Sequence, residues 1–190
     1  DLEALFARVT QGFGETAEQL RGTTGSVLRE LEATRSELAR AIFGIDPVFG
    51  GSLALDGEPL AVKNTRDATA RGLFLVPEDR KGAGALLDLS IAQNITLPNL
   101  EAYSRSGIVS EAAEISRAER SKAELDIRAP NVQVSTGALS GGNQQKVALA
   151  KWLAMNPRVI ILDEPTRGID VGAKFEIYTI MRGLADAGVA

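Results

Sequence analysis

Apolar positions change their spacing several times along the chain. Leu2, Leu5, Phe6, Val9 and Phe13 recur at the interval of one helix face. Gly12, Gly14, Gly22 and Gly25 weaken that pattern. Thr24, Val27, Leu31, Thr34, Leu38 and Ala41 then resume it like a short heptad seam. Threonine at two of those places makes the seam poor. A helical segment packing on its own domain is therefore expected over residues 1–40, ahead of a partner-binding coiled coil.

The texture changes near residue 44. Leu53 and Leu55 alternate with small or polar residues, Asp56-Gly57 suits a hairpin turn, and Leu60 and Val62 continue on the far side. Leu73-Phe74-Leu75-Val76, closed by Pro77, predicts a buried strand. Residues 88–125 predict mainly helix, interrupted at Pro98 and Gly107. Val159-Ile160-Ile161-Leu162 is β-branched, apolar and flanked by Pro157 and Pro165, so a strand buried on both faces is expected. Val171, Phe175, Tyr178 and Met181 mark one face of a helix reaching toward Gly183. No internal repeat or low-complexity tract interrupts the series.

Composition narrows the chemistry. The chain has 190 residues, no cysteine and no histidine, which excludes disulfides, thiolate metal sites and imidazole catalysis. Its 21 basic and 25 acidic residues leave a net charge of −4, against a general nucleic-acid binder. No run of about 18 apolar residues is present, and Asp1-Leu2-Glu3 does not resemble a signal peptide. A cytoplasmic location is expected. The chain opens without methionine and stops at Val189-Ala190 in mid-pattern, so a piece of something longer is expected.

Two segments carry the chemistry. In Leu139-Ser140-Gly141-Gly142-Asn143-Gln144-Gln145-Lys146, Ser140 can cap a helix. Gly141 and Gly142 would let the backbone approach an anion at that helix start. An ordinary capped helix after a glycine turn fits the same residues. Downstream, Leu162-Asp163-Glu164-Pro165-Thr166 ends an apolar strand in two adjacent carboxylates. Asp163 can hold Mg²⁺ through its water shell, and Glu164 can polarise a water for in-line attack on phosphorus. Strand-end acids are also often simple loop residues.

In order and spacing, these segments resemble the ABC (ATP-binding cassette) ATPases. The first is similar to the family's signature motif. The second is similar to its Walker B strand and catalytic glutamate, running into the D-loop at Gly168-Ile169-Asp170. The Asn-Gln-Gln-Lys ending and Thr166-Arg167-Gly168-Ile169-Asp170-Val171 look like the ribose, xylose and galactose importers. Pro77-Glu78-Asp79-Arg80-Lys81 resembles the second of their two fused cassettes, with Glu78 near the usual glutamine position. The resemblance covers about residues 37–190.

It implies an α/β fold: an incomplete three-layer, P-loop NTPase-like cassette over residues 41–190, with a helical subdomain at about 88–155. It also implies ATP and Mg²⁺ as cofactors. The implied roles are Glu164 as catalytic residue, Asp163 toward Mg²⁺ through water, and Ser140, Gly141, Gly142, Gln144 and Asp170 at the nucleotide. The expected partners are a second cassette, transmembrane permease subunits and, indirectly, a periplasmic sugar-binding protein. The cassette would then lie on the inner face of the membrane and couple ATP hydrolysis to sugar uptake. No nucleic-acid partner is expected.

One family feature is not legible. A P-loop needs Gly-x-x-x-x-Gly-Lys-Ser/Thr, and no such run occurs. Arg35-Ser36-Glu37-Leu38-Ala39-Arg40 resembles the helix that follows the loop in second cassettes, but Arg29–Thr34 has no glycine and carries two glutamates. Gly22–Ser26 and Gly82-Ala83-Gly84 precede neither Lys-Ser nor Lys-Thr and are expected to be turns. A junction is expected near residues 35–40, with sequence unlike the family before it, and the isolated chain is expected to be inactive. A non-catalytic protein with a degenerate cassette and a helical arm is the alternative. A DNA-repair ATPase with a coiled coil fits less well, because residues 1–40 are too short for its arm.

Overall fold

The computed structural model describes residues 33–79 and 84–190. The chain divides into two units, 1–38 and 39–190. Most of the first unit lies outside the described residues, as do residues 1–32 of the helical segment expected over 1–40, the glycines of Gly22–Ser26, and Gly82 and Ala83 of the other expected turn. Residues 33–42 form a helix, α1, whose last residues belong to the second unit.

A short antiparallel hairpin follows, β1 (Ala54–Leu55) and β2 (Glu58–Pro59), with Ala54 opposite Pro59. Asp56 and Gly57 turn it with φ of 53° and 81°, both left-handed, as a two-residue hairpin turn requires. Asn64 then caps α2 (Thr65–Ala70), its side chain accepting from the Asp67 amide at 2.9 Å.

The centre of the second unit is a parallel strand pair. β3 (Leu73–Val76) runs beside β6 (Val159–Leu162) in the register Leu73 to Val159 through Val76 to Leu162. Side chains alternate across it. Leu73, Leu75, Val159 and Ile161 pack with Ala39, Phe43 and Ala68 on one face. Val76, Ile160 and Leu162 pack with Leu149, Trp152 and Ile177 on the other. The stack is helix, sheet, helix, as expected for an α/β cassette. The other edge of β6 meets Ala190, whose carbonyl accepts from the Ile160 amide at 2.8 Å.

β6 departs from expectation in one respect. Its four residues are half-buried, whereas those of β3 are all buried. The apolar character of β6 thus exceeds the cover it receives among the described residues.

The segment between the strands is helical with an insertion. α3 (Ile91–Thr96) starts with a capping box between Ser90 and Gln93. A 3₁₀ stretch, Leu97–Tyr103, follows with Pro98 near its start. The sequence pattern predicted helix onward, but Ser106 and Gly107, with φ of 54° and 80°, turn a second hairpin, β4 (Ser104–Arg105) and β5 (Ile108–Val109). α4 (Glu111–Glu124) returns, capped by Ser110. α5 (Gly141–Leu153) precedes β6, and α6 (Val171–Asp186) follows it. Ile91, Ile95, Ala118, Ile127, Val132 and Val147 form a core shared by α3, α4 and α5. Each fully buried aliphatic side chain of that kind contributes about 1.5–3 kcal/mol relative to exposure.

Along α6, the buried residues are Ala173 and Ile177. Val171, Phe175 and Tyr178 are 83%, 74% and 54% exposed. The apolar face that the spacing marked is thus mostly the outer one. Among the described residues, no helix is long and apolar enough to cross a membrane.

Candidate functional site

The loop ahead of α5 is fixed from below by Asn94, which is fully buried. Its amide donates to the Leu86 carbonyl at 2.8 Å and to Thr136 Oγ1 at 3.0 Å. The Gly137 amide in turn donates to the Leu87 carbonyl at 2.9 Å. This ties the short 3₁₀ turn Thr136–Ala138 to the 86–90 segment and sets where α5 begins.

Ser140 occupies the N-cap position of α5, with its carbonyl accepting from the Gln144 amide at 2.9 Å. Its side chain makes no capping bond, a correction to the expected role. Ser140 Oγ instead accepts from Asn143 Nδ2 at 2.9 Å, because the Asn143 amide sits over the same turn. The first-turn backbone amides are therefore not engaged by the Ser140 hydroxyl, which leaves them oriented toward any acceptor placed at the helix start.

The two glycines differ. Gly141 is half-buried, whereas Gly142 is buried against α6. A Cβ on Gly142 would lie 2.5 Å from that of Ala173, so glycine is required there for helix–helix approach. Gln144 points inward, donating to the Leu139 carbonyl at 2.9 Å, and its Oε1 is buried without a hydrogen-bond partner.

A small concavity of about 130 Å³ separates the starts of α5 and α6. Ser140, Gly142, Asn143, Asp170 and Ala173 line it, with Arg128 and Glu176 at its side. Asp170 caps α6, Oδ1 accepting from the Ala173 amide at 2.9 Å. The structure thus brings Ser140, Gly142 and Asp170 together; Gly141 and Gln144 do not line this concavity.

The carboxylate pair stands elsewhere, at the C-terminal end of β6. The Asp163 amide extends the parallel ladder by donating to the Val76 carbonyl at 3.0 Å, and Asp163 is buried. Glu164 follows with φ of 47°, a left-handed conformation that costs a non-glycine residue about 1–2 kcal/mol. Such strain is a pointer to a functional constraint. β3 ends at the same edge, where Glu78 forms an ion pair with Arg167. Crevices outside the carboxyl ends of parallel strands are the usual ligand sites of open α/β sheets. Among the described residues, no group of three acidic side chains gathers to hold a metal. One buried carboxylate nevertheless suits Mg²⁺, which keeps several waters and is completed by phosphate oxygens.

The model of the ABC transporter family matches residues 33–167. The chain belongs to that family. Among curated relatives, the ribose import ATP-binding protein RbsA of Oceanobacillus iheyensis is 48% identical over 158 residues, 83% of this chain and 32% of that protein. The RbsA of Geobacillus kaustophilus is 41% identical over 188 residues, 99% of this chain and 37% of that one. The cassette thus spans about a third of the length of these relatives. The second alignment also takes in nearly all of residues 1–36, which the motifs set apart, so the likeness reaches further toward the N-terminus than the motifs do.

Solved structures agree on the fold. A nucleotide-free ATP-binding cassette from an ABC transporter gives a TM-score of 0.68 at 18% identity, over 82% of this chain and 63% of that one. A dimeric, post-hydrolysis cassette, MJ0796 bound to ADP and Pi, gives 0.64 at 23% identity, over 81% and 66%. The architecture is that of an ABC ATPase cassette.

Sequence reasoning missed the ion pairs that connect these segments. Lys146 is 2% exposed and reaches Glu176 at 2.9 Å, while Arg128 reaches the other oxygen of Glu176 at 2.9 Å. Lys146 stood inside the quoted motif, but no periodicity ties it to a residue on another helix thirty positions away. Lys151 was missed for the same reason. It is buried beside Trp152, its Nζ 4.8 Å from the ring centre, and donates to the Gly84 carbonyl. Burial pushes its ammonium down to about 8.

Proposed function

We propose that this chain is the signature-bearing part of the ATP-binding subunit of a sugar importer of the ribose class. The observation that carries it is the pairing, across one concavity, of Ser140 and Gly142 on α5 with Asp170 on α6. The curated relatives named above support the sugar-import reading by their names. In this reading residues 41–190 are the cassette, with a helical subdomain at about 88–155, and residues 1–40 precede it.

The nucleotide is ATP with Mg²⁺, which together supply a phosphoanhydride whose terminal phosphorus is activated toward attack by water. Ser140 and the amides of Gly141 and Gly142 face the phosphates from the start of α5, aided by the positive end of the helix dipole. Gln144 holds the Leu139 turn from inside and so fixes Ser140. At a separate nucleotide, one placed against the end of β6, Asp163 would hold Mg²⁺ through its water shell and Glu164 would polarise the attacking water and take up its proton. Asp170 shapes the D-loop turn as the α6 cap. The P-loop that faces Ser140 belongs to a second cassette, fused or separate. Permease subunits hold the pair at the inner face of the membrane, and a periplasmic sugar-binding protein delivers the sugar.

Calorimetric titration of the chain with Mg-ATP tests the division of labour. Weak or absent binding is expected, since Arg29–Thr34 carries no glycine to cradle phosphate. Low-micromolar affinity for the chain alone would contradict the claim that its P-loop is supplied from elsewhere.

A further inference from the structure

Lys146 lies in the second turn of α5 and is almost fully buried. An ammonium there persists only with partners. Its Nζ donates to the Asp126 carbonyl at 2.7 Å and pairs with Glu176 Oε2 at 2.9 Å. The Asp126 carboxylate stands 3.9 Å away. Glu176 Oε1 accepts from Arg128 Nη2 at 2.9 Å. The Arg128 backbone amide donates to Asn143 Oδ1 at 2.8 Å, and Asn143 Nδ2 donates to Ser140 Oγ at 2.9 Å. Bonds thus run without a break from α6 to Ser140. Glu176 is less than two helical turns from the Asp170 cap, and Ala173 between them is the residue against which Gly142 packs.

We propose that Lys146 and Glu176 are positioning residues. Their buried ion pair, extended through Arg128 and Asn143, holds the start of α5 and the start of α6 at one spacing. Ser140 and Asp170 then move as a unit. The consequence for ATP use rests on the function proposed above; the coupling of the two helix starts does not.

A purely structural ion pair predicts something different. Replacing a buried pair member by an apolar side chain of similar length mainly alters stability. A positioning pair, when broken, frees both helix starts together while the rest of the cassette keeps its structure. Glu176 is the first target because its side chain is only about two-thirds covered, so a substitution there spares the core.

The test is residue-resolved amide hydrogen exchange on the full chain without nucleotide, comparing the parent with Glu176→Gln, Lys146→Met and Lys146→Arg. The reporters are the Arg128 and Gln144 amides on one side and the Ala173 and Lys174 amides on the other, each hydrogen-bonded in the parent. Protection at all four should fall together by about tenfold or more in Glu176→Gln and Lys146→Met, and the β3 and β6 amides should keep theirs. Lys146→Arg should restore most of the loss. Where Lys146→Met lowers the unfolding midpoint sharply, Glu176→Gln alone decides. ATP-driven pairing of the parent with a second cassette, run alongside, judges the function proposed above separately. Loosening confined to one helix start, or unchanged exchange at both, would overturn the positioning role.

Discussion

The start of α5 and the end of β6 both carry residues of the candidate site, and they are held differently. Around α5, eight consecutive residues from Gln144 to Lys151 are buried, and Ser140, Asn143, Arg128 and Glu176 are bonded in sequence. Around β6, all four strand residues are half-buried, and Glu164 sits in a strained left-handed conformation. The signature end is thus a finished surface made by this chain. The carboxylate end is a partly covered edge among the described residues.

The contrast has measurable edges. The largest effect should come from Glu164→Gln in an assembled importer where β6 faces a P-loop. Hydrolysis should fall by about 10²–10⁴-fold with ATP binding retained, because an amide cannot take the proton of the attacking water. Steady-state hydrolysis at the parental rate would make the β6 end silent and leave the signature end as the only contribution.

Unfolding energetics should separate the two regions next. Ile177 is fully buried where α6 meets the sheet, so Ile177→Ala should cost about 2–5 kcal/mol in urea titration. Ile160, half-buried on β6, should cost about half as much when changed to Ala. Equal losses would show that β6 is as well covered as α6.

Lys151 gives a pH-dependent test of how dry the α5 core is. Its folded value of about 8 lies below the ordinary lysine value of about 10.4. Below pH 8 both states are protonated, and the cost of the buried charge is fully present. Between these values the unfolded chain binds more protons, so stability should rise with pH, by up to about 3 kcal/mol, and level off above 10.4. Lys151→Met should remove that rise relative to the parent. The same slope in both would show Lys151 to be hydrated.

The smallest effect should be at Phe175, which is 74% exposed. Phe175→Ser should change stability by less than about 0.5 kcal/mol. A clearly larger loss would mean that the outer face of α6 is covered in solution.

Much of the fold was legible because local chemistry and tertiary placement agreed. Asp56-Gly57 made its hairpin, Leu73–Val76 and Val159–Leu162 made parallel strands, and the acids after Leu162 fell at the strand end. Four things were not legible. The second hairpin at Ser106-Gly107 was hidden because Gly107 marks an interruption without saying what flanks it. The outer placement of Phe175 and Tyr178 was hidden because a helical period gives a face but not its direction. The Ser140 hydroxyl was expected on a backbone amide, and Asn143, three residues on, competes for it. Ion pairs such as Lys146 with Glu176 join residues from different elements, and no local pattern announces them.

The central claim is that this chain completes a nucleotide site whose P-loop lies on another cassette. Sedimentation velocity tests it most directly. The chain would be mixed with a ribose-importer cassette that carries an intact Gly-x-x-x-x-Gly-Lys-Ser/Thr loop and a glutamine in place of its own catalytic glutamate. With Mg-ATP the two should form a heterodimer, and Ser140→Arg should abolish it while leaving each partner folded, because the substitution puts bulk and charge where the α5 start must close over the terminal phosphate. Association that does not depend on ATP, or that survives Ser140→Arg unchanged, would contradict the account.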